Sequence, residues 1–171
     1  MAAEVPRLII EDALGDLMRT IVQQHIAAGQ MASGRTMKSM RVEAREDEGR
    51  LVGKKYFGVL ETGRRAGKVP NRFYLIIMQW MKDKGITAPP IPYKTDRPHK
   101  YTAEERGQRS MAAAIADRIR KSGTKLYRDG GRDDIYSNAV AGTKEDLNKA
   151  LSEWVKKEFT NIKLNIHTEI T

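Results

Sequence analysis

A glycine-rich, basic segment is the first place to look for ligand chemistry, because phosphate-binding loops share this composition. The segment reads ETGRRAGKVPNR at residues 61–72 and is predicted to form an exposed loop. A P-loop needs four residues between its glycines and a hydroxyl side chain after the lysine. Here three residues separate Gly63 from Gly67, and Val69 follows the lysine. The segment predicts contacts with phosphates or with acidic residues of a partner rather than a nucleotide site. Its candidate contact residues are Arg64, Arg65, Lys68 and Arg72.

Other chemistry-bearing residues do not form recognisable catalytic patterns. Adjacent carboxylates at Asp133 and Asp134, and at Glu104 and Glu105, point in different directions, which favours roles in caps or turns. A nuclease site built on Asp133, Asp134, Glu61 and a lysine is a minor alternative. No serine stands in a G-x-S-x-G context, the chain has no cysteine, and its three histidines are scattered. We therefore expect no enzyme activity, no metal and no cofactor.

The elements that must position the basic loop are mostly helices. Apolar residues recur at three- and four-residue spacing in four segments, which predicts helices from Pro6 to near Gly29, over 73–84, over 102–123 and over about 144–159. His25 falls on the first apolar stripe and is expected to be packed. A proline-rich stretch at 86–101 is expected to be a loop.

Two segments alternate with a period of two, which is typical of half-buried strands. The first, with its return after a turn, predicts an antiparallel hairpin over 36–60. The second predicts a strand or arm at the C-terminus, within 160–171, which would have to pair with another strand edge. Its candidate subunit-interface residues are Ile162, Leu164, Ile166 and Ile170. The expected fold is a single α+β domain over residues 1–171, with a small antiparallel sheet of hairpin 36–60 and strand 162–170 packed against three or four helices.

Positive charge is concentrated in the centre of the chain. The net charge is +9, and residues 51–143 hold 19 Lys and Arg against 9 Asp and Glu. This excess favours a polyanionic partner, and it adds Arg128 and Arg132 to the candidate contacts for DNA or for a partner protein. No apolar run approaches the roughly 20 residues of a membrane span, so no membrane partner is expected.

The element order, together with three sequence stretches, resembles the tail-completion or neck proteins of tailed bacteriophages, in the versions found in phages of Bacteroidetes-type hosts. The stretches are YFGVLETGRRAGKVP at 56–70, IIMQWMKDKGI at 76–86 and AAAIADRIRKSGTKLYRDGGRDDIYSNAV at 112–140. The resemblance implies a small α+β structural protein of the virion neck, made in the bacterial host cytoplasm. It implies a homo-oligomeric ring of six-fold or twelve-fold symmetry, the portal and other neck or tail proteins as partners, contact with genomic DNA without sequence preference, and no catalytic residues.

A second function class is consistent with the charge. The basic centre could serve a sequence-nonspecific nucleic-acid-binding protein in which Arg118, Lys121 and Lys125 extend the patch of candidate contacts. The sequence lacks a helix-turn-helix, a zinc finger or an aromatic stacking motif, and aromatic residues make up 6% of it. We therefore expect the connector function first and the nucleic-acid function second.

Overall fold

The computed structural model describes residues 4–45, 48–95 and 98–169, and it describes side chains over residues 5–162 within those ranges. It is an α+β structure whose residues form two compact units. Unit 1 is drawn from Met1–Gly29, Thr36–Phe57 and Asp133–Thr171, and unit 2 from Gln30–Arg35 and Gly58–Arg132. The expectation of a single domain stays a prediction.

Unit 1 is built on a long first helix, α1 (Glu4–Ala27), as its apolar spacing predicts. Ile10, Leu17 and Ile21 are buried on one face of α1, and His25 on the same face is only 4% exposed. This face packs against a hairpin and against the last helix of the chain. Burial of a helical face of this kind is the main source of helix stability in a folded protein.

The hairpin is confirmed but is shorter than predicted. It consists of β1 (Arg41–Ala44) and β2 (Gly49–Val52), antiparallel, with Arg41 paired to Val52 and Ala44 to Gly49. Residues Met37–Ser39 form a 3₁₀ turn instead of the start of a strand. The prediction of a hairpin over 36–60 is wrong beyond Val52, because Gly53 and Gly58 weaken an extended segment and the chain turns into a helix at Val59–Thr62.

The last helix, α6 (Ser137–Glu169), overturns the predicted C-terminal strand. Ile162, Leu164 and Ile166 fall within this helix, and Ile170 lies outside the described residues. The physical reason is continuity: no glycine or proline interrupts residues 143–169, so backbone hydrogen bonding propagates along the chain. Isoleucines at 162, 166 and 170 are also four residues apart, a spacing that satisfies a helix as well as a strand.

Unit 2 contains the remaining helices. They are α2 (Val59–Thr62), α3 (Phe73–Asp83), α4 (Ala103–Ser122) and α5 (Lys125–Arg128). The core of the unit lies between α3 and α4, where Ile77 and Met81 pack on Ala112 and Ala116. Alanines on α4 allow the two helix backbones to approach, and the larger side chains of α3 fill the space between them.

The N-terminus of α4 is fixed by a capping box and by the proline-rich loop. The Thr102 hydroxyl accepts a hydrogen bond from the Glu105 backbone N–H at 3.2 Å, and the Glu105 carboxylate accepts one from the Thr102 N–H at 3.0 Å. The described parts of 86–101 contain no helix or strand, as predicted. This loop lies against Gly107, where an added Cβ would stand 2.0 Å from the Pro89 carbonyl oxygen. The Ile91 N–H also donates to the Ala103 carbonyl at 2.9 Å.

Candidate functional site

The basic loop, residues 63–72, is held by its backbone against the junction of α4 and α5. The Arg64 N–H donates to Thr124 Oγ1 at 2.9 Å, and the Thr124 N–H donates to the Arg64 carbonyl at 2.8 Å. The Gly67 N–H donates to the Arg120 carbonyl at 2.8 Å. Three hydrogen bonds to residues more than fifty positions away make this loop part of the folded framework of unit 2.

Gly63 is required at the start of the basic loop. Its φ is +66°, and an added Cβ would lie 2.4 Å from the Tyr127 backbone nitrogen and 2.7 Å from Thr124 Oγ1. A side chain would therefore meet both an unfavourable backbone conformation and the backbone of α5. The close approach that glycine permits is what places the loop beside the N-terminus of α5.

Arg64 is used within the loop rather than presented outward. Its guanidinium lies 5.6 Å from the centre of the Phe73 ring, and its Nη2 donates to the Lys68 carbonyl at 2.7 Å. Its Nε is buried and has no hydrogen-bond partner among the described residues. The side chain thus ties the two ends of the loop together.

Arg65, Lys68 and Arg72 are the outward-facing cations of the loop. All three are exposed, and within the part of the chain that the structure describes none of them makes an ion pair. Arg65 and Lys68 line an open cavity of about 350 Å³ together with Val59, Gly63, Arg64, Ala66 and Gly67. Such a cavity, rimmed by cations that need no internal partner, can accept phosphate or carboxylate groups.

The two other predicted contacts lie close to the same junction. Arg128 donates from Nη1 to the Gly123 carbonyl at 2.7 Å, and the Arg132 N–H donates to the carbonyl of the buried Glu61 at 2.9 Å. Arg128 is thus bonded to the junction of α4 and α5 that holds the basic loop, and the Arg132 backbone is bonded to the segment that precedes the loop.

Neighbouring cations on α4 and α5 are already neutralised. Arg120 and Lys121 both contact the Asp117 carboxylate, and Lys125 contacts Asp129. Hydrogen bonds from Lys121 and then Arg120 hold the pKa of the Asp117 carboxyl below its ordinary value. Of the wider basic patch, Arg118 is exposed on α4 and makes no ion pair among the described residues.

Carboxylates of the described residues do not assemble into a metal site, and one of them, Glu104, has a lowered pKa at the start of α4. Hydrogen bonds to its own backbone N–H and to the Thr102 hydroxyl hold the pKa of Glu104 below its ordinary value, as expected at a helix N-terminus. Among the described residues no group of three His, Cys, Asp or Glu side chains could hold a metal ion.

Exposed apolar residues on two helices form surfaces that sequence analysis did not separate from the core. On α3, Ile76 is 53% exposed and Trp80 is 39% exposed, although Ile77 and Met81 on the same predicted apolar stripe are buried. On α6, Val155, Phe159 and Ile162 are exposed. The width of the apolar stripe in the sequence could have indicated this exposure. When a stripe is wider than the area that one neighbouring helix covers, the residues at its edge stay exposed.

Aromatic and arginine side chains also cluster where the proline-rich loop meets α4. The Tyr93 and His99 rings stack at 3.5 Å between centroids, and Arg106 lies 4.6 Å from the Tyr93 ring centre. Arg109 lies 3.9 Å from the Tyr101 ring centre. These contacts fix the described ends of the loop to α4.

Comparison with known protein families, characterised proteins and solved structures finds no match for this chain. Among the described residues, no helix is both long enough and apolar enough to span a membrane.

Proposed function

We propose that the chain is a structural subunit of a homo-oligomeric ring in the neck of a tailed bacteriophage, where it links portal and tail around the DNA exit channel. It would be made in the cytoplasm of the bacterial host and reside in the virion. The resemblance of residues 56–70, 76–86 and 112–140 to tail-completion and neck proteins is the source of the proposal. The geometry of unit 2 supports it.

The observation that carries the proposal is the exposed apolar face of α3 formed by Ile76 and Trp80, which lie four residues apart. A ring subunit contacts each neighbour through two different surfaces, and such surfaces are apolar at their centres. Trp80 and its neighbours supply an aromatic anchor of the kind that dominates the binding energy of protein interfaces. The predicted strand addition by residues 162–170 is no longer part of the proposal, because those residues are helical up to Glu169.

The proposal is tested by native mass spectrometry and negative-stain imaging of the purified chain, alone and mixed with the portal protein of the same phage. We expect discrete rings or a complex with the portal. The I76E/W80E variant should fold and lose both, because it places charge on the apolar face. An L8E variant is the control, since Leu8 is a 46% exposed apolar residue on α1. A chain that never forms rings and ignores the portal would refute the proposal.

A second candidate, sequence-nonspecific nucleic-acid binding, is favoured by the unpaired cations Arg65, Lys68 and Arg72 of the basic loop. Cations without internal partners are free to replace the counterions that surround DNA phosphates. This activity is also compatible with a neck ring, because the ring would surround the DNA.

Loss of affinity for duplex DNA in an R65Q/K68Q/R72Q variant tests this second function. If all three residues contact phosphates, the slope of log affinity against log salt should become shallower by about 2 to 3. The matched control is R120Q/K121Q/K125Q, which removes three cations that already have acidic partners. Equal losses in both variants would mean that net charge, and not the basic loop, determines binding.

A further inference from the structure

Between Ser137 and Ile162 the charged residues of α6 are arranged with opposite signs about Leu151, whereas Lys163 and Glu169 at the end of the helix have no such counterpart. Residues 137–162 contain eight charged side chains: Lys144, Glu145, Asp146, Lys149, Glu153, Lys156, Lys157 and Glu158. Each of the eight has a residue of opposite charge at the same distance on the other side of Leu151. Thus Lys144 mirrors Glu158, and Lys149 mirrors Glu153. Within the described chain only Lys149 and Asp146 of the eight form an ion pair with each other, at 3.9 Å.

Five apolar residues of α6 are also placed symmetrically about Leu151, whereas Trp154 and Phe159 mirror the polar residues Asn148 and Thr143. Val140 and Ile162 are equally distant from Leu151, and so are Leu147 and Val155. At 3.6 residues per turn these five residues fall within about 80° of one another around the helix, so they form one stripe. Val140 is 45%, Val155 39% and Ile162 52% exposed, while Leu147 and Leu151 are half-buried.

Lys144 and Glu158 lie within this same angular range, one on each side of Leu151. A helix that packed parallel to α6 in register would set Lys144 against Lys144 and Glu158 against Glu158. An antiparallel copy centred on Leu151 instead sets Lys144 of one copy against Glu158 of the other, at both ends of the contact. It also sets Val140 against Ile162 and Leu147 against Val155. Charge complementarity therefore selects the antiparallel arrangement.

We propose that α6 is the contact surface of a two-fold symmetric dimer, in which two copies of this chain pack antiparallel through the stripe Val140, Leu147, Leu151, Val155 and Ile162. The contact runs about 33 Å along the helix, which is about three heptads of a coiled coil. A two-fold contact uses the same patch on both subunits, so it is distinct from the head-to-tail contact that closes a ring. The inference therefore goes beyond the proposed function and does not depend on it.

Charge reversal in the stripe is the first test, with mass measured by sedimentation or light scattering over a range of concentrations. The wild-type chain that has not assembled into rings should be a dimer. K144E and E158K should each weaken the dimer by about tenfold or more, since each places like charges together at both ends of the contact. The K144E/E158K double variant should recover the dimer, and an equimolar mixture of the two single variants should form heterodimers. K149E is the control, because Lys149 lies on the opposite side of α6.

Cysteine cross-linking tests the orientation, and the chain is suited to it because it contains no cysteine. Under oxidation the L151C variant should cross-link to itself. V140C and I162C should cross-link to each other when mixed and not to themselves. Self-cross-linking of V140C, or a monomeric wild-type mass at every concentration, would overturn the inference.

Failure of the α6 dimer would be distinguishable from failure of the proposed neck function. If K144E forms the same rings as the wild type, and the wild-type chain is a monomer before it assembles, the α6 dimer is rejected and the neck function is not. If the chain forms dimers that follow the charge-reversal pattern but never forms rings or binds the portal, the neck function is rejected and the α6 dimer is not.

Discussion

Substitution of Gly107 tests whether the proline-rich loop is fixed against α4. Replacing glycine by alanine in a helix interior ordinarily stabilises it by about 1 kcal/mol. At Gly107 the added methyl group would lie 2.0 Å from the Pro89 carbonyl oxygen and 3.0 Å from its carbon, so the loop or the helix must move. Overpacking of this kind costs about 1 to 3 kcal/mol.

Displacement of the loop would also break hydrogen bonds. The Ile91 N–H to Ala103 carbonyl bond of 2.9 Å and the Arg106 to Pro92 carbonyl bond of 3.1 Å both span the same contact. Each contributes about 1 kcal/mol. After the gain in helix propensity is subtracted, we expect G107A to destabilise unit 2 by about 2 to 4 kcal/mol.

The assay is urea unfolding followed by tryptophan fluorescence. The chain has two tryptophans, Trp80 in unit 2 and Trp154 in unit 1, so a W154F background reports on unit 2 alone. At a urea m-value of about 2 kcal/mol/M the midpoint in G107A should fall by about 1 to 2 M, and the amide of Ile91 should exchange with solvent faster.

The matched control is G142A. Gly142 is also within a helix, but an added Cβ there meets no atom within 4 Å. With Trp154 as the reporter, G142A should raise the midpoint of unit 1. If G107A raised the midpoint of unit 2 in the same way, the close contact between Pro89 and α4 would not exist in solution.

Three further predictions concern the cap, an ion pair and the core of unit 2. T102A should destabilise unit 2 by about 1 kcal/mol because the capping box is lost, and T102S should retain most of the stability. Equal unfolding midpoints for T102A and wild type would contradict the capping role. The pKa of Asp117 is lowered, so its contribution to stability is present above the unfolded-state pKa and is lost as pH falls through the folded-state pKa. K121M should therefore move the Asp117 pKa back towards its ordinary value in a carboxyl NMR titration. An unchanged titration would exclude the Lys121 contact. M81A should lower the free energy of unfolding by about 2 to 5 kcal/mol, because Met81 is 1% exposed. I76A should lower it far less, because Ile76 is 53% exposed. Similar urea midpoints for the two variants would contradict the assigned core.

The helices that sequence analysis predicted well are those with both a strong period and a clear end. Helix α4 has a threonine cap, glutamates in its first turn and a glycine after its last residue, and its observed bounds agree with the prediction to within a residue. The single-turn helices α2 and α5 were not predicted, because four residues are too few to show a period. Tertiary hydrogen bonds position α5, such as those between Arg64 and Thr124.

The C-terminal strand was predicted wrongly because alternation and helical spacing share residues. Ile162 and Ile166 satisfy both patterns, and the uninterrupted chain from Thr143 onward decides between them. Helix continuity is a stronger signal here than four alternating residues.

Within the candidate site, composition identified the cations but not their roles. The inward use of Arg64 depends on the position of the Phe73 ring, which only the folded loop determines. The exposed state of Arg65 and Lys68 likewise follows from the backbone contacts that hold the loop against α5.

The placement of unit 2 within the sequence of unit 1 has a consequence for synthesis on the ribosome. Helix α1 emerges first, but α6, which packs against it, emerges last, after about 110 intervening residues. All residues of unit 2 are made before the first residue of α6. We therefore expect unit 2 to fold while the apolar face of α1 still lacks its final partner, so that a nascent or truncated chain ending before Ser137 would be the form most in need of a chaperone.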